Sequence, residues 1–173
     1  MNSMSVSKHI NYEYKGETWK NFMVNLCTIN EIDGNKVFTL PITPNEKLRD
    51  LYASSDIGLF PNRCEGGTNL VLMEYMACGK PVIASYNSGH KDVLTASNSL
   101  RLERMHEFKL FDNNKKLIAD WEEPDIDEIV AQLEYAYHHR EEIKKIGKKA
   151  GEDMKNFTWE RSADSLFQLL NRI

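Results

Sequence analysis

The stretch Leu59 to Ser85, LFPNRCEGGTNLVLMEYMACGKPVIAS, decides the fold. It opens on the end of a short apolar run, Ile57 to Phe60, closed by Pro61, the pattern of a buried strand. A polar loop bearing two glycines follows, and then an apolar run from Leu70 to Cys78 that reads as a helix. Gly79 and Pro81 stop that helix, and Pro81 to Ser85 forms the next strand, with Asn87-Ser88-Gly89 as its exit loop. Upstream, Lys36 to Leu40 reads as a strand after the Asp33-Gly34 turn. Asn45 to Ala53 reads as a helix, with Leu48, Leu51 and Tyr52 at helical spacing. Strands alternating with helices in this way imply an α/β fold, a Rossmann-like doubly wound parallel sheet.

Outside this stretch the pattern changes. Phe108 to Phe111 and Leu117 to Trp121, separated by Asp112-Asn113-Asn114, imply a β-hairpin inserted beside the main sheet. Asp125 to Ile146 reads as one amphipathic helix, with Ile126, Ile129, Val130, Leu133 and Tyr137 on its apolar face. Thr158 is placed to cap a last helix whose Trp159, Ala163, Phe167 and Leu170 share a face, so the C-terminal third is helical. The first 35 residues are weakly patterned, with a strand remnant at Ile10 to Tyr14 and a helix within Trp19 to Ile32. The expected division is therefore a poorly formed segment, 1–35, and one domain, 36–173.

Composition narrows the function. The 173 residues carry a net charge of −4, which supplies no electrostatic footprint for nucleic acid. Cys27, Cys64 and Cys78 lack C-x-x-C spacing and are odd in number, against both a zinc cluster and a secreted disulfide framework. The first residues lack the basic start and apolar run of a signal peptide, and no stretch approaches the roughly 20 apolar residues that span a bilayer. The expected location is cytoplasmic, with a peripheral membrane position left open.

The chemistry lies in the loop and the helix after it. Leu70 to Ala77 is apolar nearly all round except for Glu74, so the helix is expected to be buried and its carboxylate to need a partner. Gly66 and Gly67 let the backbone approach a ligand closely, and Thr68 or Asn69 can cap the helix. Free amides and the positive dipole end at a helix N-terminus suit a diphosphate, and Glu74 lies one turn inside, where it can accept hydrogen bonds from ribose hydroxyls. Open α/β sheets bind ligands at this end of their strands. A Gly-Gly turn with a solvated or capped Glu is the purely structural alternative.

The same residues resemble the donor-binding signature of retaining GT-B glycosyltransferases of family 4, the group 1 type. The match runs through Pro61, Glu65, Gly66, Glu74, Met76, Ala77, Cys78, Gly79, Pro81, Val82, Ile83 and Ala84. The preceding LRDLYASSDIGLFP and the later NFTWER, Asn156 to Arg161, are also similar to family segments, so the likeness spans Lys36 to the C-terminus. It implies one half of a GT-B fold, the C-terminal, nucleotide-sugar-binding domain. It implies a hexosyl or other glycosyl transfer, with retained anomeric configuration, from a nucleotide sugar to an acceptor hydroxyl on a glycan, a lipid-linked sugar or a protein. Carried over by position, Glu74 binds the ribose and Glu65 contacts the donor sugar as the catalytic carboxylate. Gly66, Gly67, Thr68, Asn69 and Leu70 hold sugar hydroxyls and phosphate. Arg63, Gly89 and His90 are candidates for the cleft wall. No cofactor and no metal is implied, since helix dipole and basic side chains meet the leaving-group charge.

Two departures stand beside the likeness. Gly66 to Met73 places eight residues between the glutamates, one more than the family's usual seven. The family's diphosphate-clamping Arg and Lys have no counterpart before Lys36, because Lys8, Lys15 and Lys20 lack the strand and glycine context. The expectation is thus a chain resembling a C-terminal fragment, inactive alone and partnered by a separate N-terminal acceptor domain. The alternatives are a truncated, non-catalytic nucleotide-sugar-binding module and a nucleotide-sugar epimerase. Asp125-Ile126-Asp127 mimics a D-x-D metal motif, but acidic residues in a first helical turn complement the dipole without any metal. Cys64 has no His in supportive context to activate it.

Overall fold

The computed structural model describes residues 18–40 and 43–172, and the chain divides after Thr43 into two compact units. The expected strand remnant at Ile10 to Tyr14 lies outside the described residues. In the first unit, Thr18 caps helix α1, Trp19–Ile29, its hydroxyl accepting from the Asn21 amide, and Asn30 closes it by donating to the Leu26 carbonyl.

The expected strand from Lys36 to Leu40 does not form. Asp33 accepts from the Asn35 amide through its carboxylate and from the Lys36 amide through its carbonyl, winding Gly34–Lys36 into a 3-10 turn. Val37 donates back to Gly34, and among the described residues no strand pairs with the groups that follow. A strand without a partner leaves its backbone donors and acceptors to water, whatever its side-chain pattern.

The second unit is the α/β domain. Helix α2, Asn45–Ser54, precedes strand β1, Gly58–Phe60, and α3, Leu70–Ala77, leads to β2, Val82–Ser85. Strand β3, Leu100–Leu102, too short to be legible in sequence, completes a parallel sheet of order β1-β2-β3. Its register pairs Leu59 with Ile83 and Ala84 with Arg101. Side chains alternate along β2. Val82 and Ala84 enter a core with Leu72, Tyr75 and Met76 of α3 and Ala150 and Met154 of α5, Arg140–Met154. Ile83 and Ser85 point to the other face, where α4, Ile126–His138, packs on β2 and β3.

Gly147 is where α5 closes on the sheet. A Cβ there would stand 2.6 Å from both the Gly79 carbonyl oxygen and the Pro81 nitrogen, so the helix approaches this turn backbone to backbone.

The hairpin forms as expected but longer, with β4, Met105–Phe111, against β5, Leu117–Pro124, antiparallel. Asp112 turns it by accepting from the amides of Asn114 and Lys116. The single helix expected over Asp125 to Ile146 is instead two, broken at His139. That residue leaves helical geometry (φ −116°, ψ 40°), its ring nitrogen donates to the Tyr135 carbonyl, and its ring stacks on Tyr135. The expected apolar face is corrected as well. Ile126, Val130, Leu133 and Tyr137 are exposed, and the contacts that bury this region are Ala136 and Ile143. Thr158 caps α6, Trp159–Leu170, as expected, though its apolar residues lie open: Trp159 is 93% exposed.

Candidate functional site

The loop from Pro61 to Asn69 leaves the C-terminal end of β1 and returns as α3. Its last residue makes the turn into the helix. Asn69 adopts a left-handed conformation (φ 46°), and its side-chain oxygen accepts from the Leu72 amide at 3.1 Å. Asn69 is thus the cap, and the amides of Leu70 and Val71 are the other donors of the first turn.

The Asn69 cap is itself fixed by His90, whose ring is fully buried. One ring nitrogen, Nδ1, lies 2.9 Å from the Ser85 carbonyl, which can only accept, so Nδ1 carries the proton. Nε2 therefore accepts from Asn69 Nδ2 at 3.0 Å. Both nitrogens are engaged inside the protein, so His90 supports the loop that bears the site and is no solvated loop residue.

Three consecutive residues after β2 pin the same loop. Buried Asn87 donates to the carbonyls of Arg63, at 2.8 Å, and Asn62, at 3.3 Å. The Ser88 hydroxyl accepts from the Glu65 amide at 2.8 Å, and the Gly89 amide donates to the Glu65 carbonyl. A Cβ on Gly89 would fall 1.4 Å from the Gly67 carbonyl oxygen, a position no side chain can occupy. The Glu65 carboxylate accepts from Asn62 Nδ2 at 2.7 Å, and Gly66 and Gly67 are open to solvent beside it.

Glu74 corrects the expectation of a buried carboxylate. Helix α3 buries Leu72, Tyr75 and Met76 and exposes Leu70, Val71, Glu74 and Ala77. Its composition is uniform, but only one face meets the sheet, and Glu74 lies on the other. There the Tyr52 hydroxyl donates to its carboxylate at 3.3 Å. Burial, and then the neighbouring Glu74 charge, pushes the Tyr52 phenol above its ordinary range, so the donor stays protonated. Tyr52 and Glu74 border a cavity of about 500 Å³ between α2 and α3, with Asn45, Leu48 and Arg49 on its far wall.

Arg63, the other candidate for the wall, turns away to the hairpin. Its Nε donates to Glu123 at 2.8 Å, its Nη2 pairs with the same oxygen, and its guanidinium lies over the Phe108 ring. Cys64 is exposed. Asp125 caps α4 and pairs with Arg104 and His106, whose hydrogen bond holds its carboxyl below the usual range.

The structure brings Glu65, Gly66, Gly67, Asn69 and Gly89 together around one loop and sets Glu74 one turn along the helix. Sequence reasoning missed Tyr52, Asn62, Asn87 and Ser88. Tyr52 was legible only as a core position on α2, and Asn87 and Ser88 only as a polar exit loop. The partners of Tyr52, Asn87 and Ser88 lie 22 to 25 residues away in the chain.

Comparison with known proteins places the chain in a family. Residues 16–120, more than half of the chain, match the family model Glycosyl transferases group 1. Sulfoquinovosyl transferase SQD2 of Arabidopsis thaliana is 28% identical over 123 residues, 71% of this chain and 21% of that protein. Among solved structures, sucrose-phosphate synthase from Thermosynechococcus elongatus superposes with a TM-score of 0.66 at 22% identity, over 88% of this chain and 34% of that one. Anabaena Alr3699/HepE in complex with UDP gives 0.67 at 15% identity, over 90% and 37%. Its complex with UDP-glucose gives 0.64 at 15%, over 92% and 38%. The chain therefore spans between about a fifth and two fifths of the length of these relatives. Their shared architecture is GT-B, and the α/β sheet described above is its Rossmann-like half. With the family model spanning the whole loop-and-helix element as well, this chain belongs to the group 1 glycosyl transferases.

Proposed function

We propose that the chain binds a nucleoside-diphosphate sugar for transfer of the sugar, with retained configuration, to an acceptor hydroxyl. The observation that carries this reading is the order of groups along one ridge. A pinned carboxylate, Glu65, is followed by open glycine backbone, the first-turn amides of α3 and then the exposed Glu74 carboxylate. That order suits sugar, diphosphate and ribose in sequence. Helix amides and dipole favour the phosphates. Glu74, already polarised toward the cavity by Tyr52, accepts from ribose hydroxyls. Glu65 meets the donor sugar near its reacting carbon, and leaving-group charge is met by the helix terminus without a metal. The UDP and UDP-glucose complexes of HepE support a nucleotide-sugar donor. An acceptor held mostly by a further domain, and a cytoplasmic position, complete the reading. Among the described residues, no helix is long and apolar enough to cross a membrane.

Isothermal titration of the chain with UDP and GDP tests the proposal. One of the two should bind, and Glu74→Ala should abolish most of the heat while the melting temperature holds. Silence with both nucleotides sinks it.

A further inference from the structure

The donor contacts proposed above make no use of the β4–β5 hairpin, yet the hairpin is tied to the loop that carries Glu65. Phe108 and Trp121 are cross-strand partners whose rings lie 6.4 Å apart and 10° from parallel, a stacked aromatic pair. Arg63 covers the Phe108 half, with its guanidinium 3.9 Å from the ring centre. The guanidinium also pairs with Glu123, two residues beyond Trp121 and therefore on the same face of β5.

The Trp121 half borders a cavity of about 510 Å³, which lies between the hairpin, the Pro61–Cys64 loop and the start of α4. Prolines and isoleucines form its apolar wall, and Asn62, Arg63 and Glu123 supply polar groups. Asn62 is also the residue that holds the Glu65 carboxylate, at 2.7 Å. The cavity thus begins one side chain away from the carboxylate assigned to the donor sugar.

This combination selects a ligand class. A pyranose has an apolar C–H face that stacks on an indole and a rim of hydroxyls that both donate and accept. The side-chain carbonyl of Asn62, the second carboxylate oxygen of Glu123 and the remaining N–H groups of Arg63 match such a rim. A mostly apolar cavity of this size with a few convergent polar groups is the ordinary form of a small-molecule site. A phosphate, by contrast, would face the Glu123 carboxylate.

We propose that this groove is a saccharide subsite, with Trp121 as its stacking face, and that it takes the part of a saccharide acceptor that reaches this chain. The acceptor role rests on the donor reading above. The saccharide site itself rests on the groove.

The test uses the whole chain with methyl glycosides of glucose, galactose, mannose and N-acetylglucosamine, observed by saturation-transfer NMR, beside UDP and GDP titrations. At least one glycoside should receive saturation mainly on the C–H protons of one ring face. Trp121→Ala should weaken it roughly tenfold, the worth of one stacking contact. Trp121→Phe should recover much of the loss. Glu123→Gln, which keeps the shape of the site, should weaken binding several-fold and decides the matter if Trp121→Ala melts early. Absence of binding by all four glycosides, or binding indifferent to both Trp121→Ala and Glu123→Gln, overturns the subsite. Glycoside binding in a chain that takes neither nucleotide overturns the acceptor role and leaves a saccharide site.

Discussion

The two carboxylates of the site are held in opposite ways. Glu65 sits in a loop fastened from several sides, by Asn62 at its carboxylate, Ser88 at its amide, Gly89 at its carbonyl and Asn87 at the carbonyls just before it. Glu74 sits on a regular helix whose exposed face leaves the side chain free except for Tyr52. The loop achieves fixed geometry through non-local hydrogen bonds, which suits the contact proposed for Glu65 with a reacting carbon. The helix fixes only the Cα of Glu74 and lets the carboxylate adjust, which suffices for the proposed binding of ribose hydroxyls. Damage to the first region should therefore appear as lost structure, and damage to the second as lost affinity.

The largest expected effect is on the pinned loop. Gly89→Ala sets a methyl group onto the Gly67 carbonyl oxygen and forces the two loops apart. Overpacking of this severity should cost about 3 kcal/mol or more, read by chemical denaturation, and should abolish nucleotide binding as well. A Gly89→Ala chain as stable as wild type would show that the loops are not locked together. Next comes Glu74→Ala, expected to lower nucleotide affinity roughly ten- to hundredfold, the range for a hydrogen bond to a charged group, with melting unchanged. A large fall in stability instead would mean that Glu74 is structural and would erase the contrast.

Asn69→Ala sharpens the comparison at the joint between the regions. It removes the cap of α3, strands Nε2 of buried His90 without its donor, and places alanine at a positive φ. A cost of about 1–2 kcal/mol in denaturant unfolding is expected. Tyr52→Phe should do least, lowering nucleotide affinity about two- to fivefold with no change in melting, because one long hydrogen bond on an open face is lost. The pH dependence follows from the same contact. The folded phenol titrates above its ordinary value, so its contribution is complete below pH of about 10 and is lost as pH rises through the raised value. Tyr52→Phe should remove that alkaline decline in affinity, and a decline that persists in the variant assigns it elsewhere.

Much of the site was legible because its signals are local. Gly66, Gly67 and the Asn69 cap follow from backbone rules that act within four residues, and Gly79 and Pro81 mark the end of α3 by the same logic. The likeness of Leu59 to Ser85 to the group 1 enzymes then pointed to the family. Failures came where a local hydrogen bond overrode the apolar pattern of the segment. Lys36 to Leu40 has strand character, but Asp33 folds its first residue into a turn, and among the described residues no strand pairs with the rest. The apolar spacing from Asp125 to Ile146 continues through His139, whose ring nevertheless caps the carbonyl of Tyr135 and ends the helix.

The sequence by itself determined the β1–α3–β2 succession, the hairpin, and the caps at Asn69 and Thr158, because each depends mainly on torsional preference and hydrogen bonds within a few residues. Only the tertiary structure decided which face of α3 is buried. Leu70 and Val71 are as apolar as Leu72 and Met76, so the choice rests on where Val82 and Ala84 present the sheet. That choice turned Glu74 outward toward Tyr52 and made it available to a ligand. The same is true of Arg63, which a single sequence places beside Glu65 and which folding commits to Glu123, 60 residues along the chain. Apolar burial is non-directional along a uniformly apolar helix, and direction enters only when a second surface arrives.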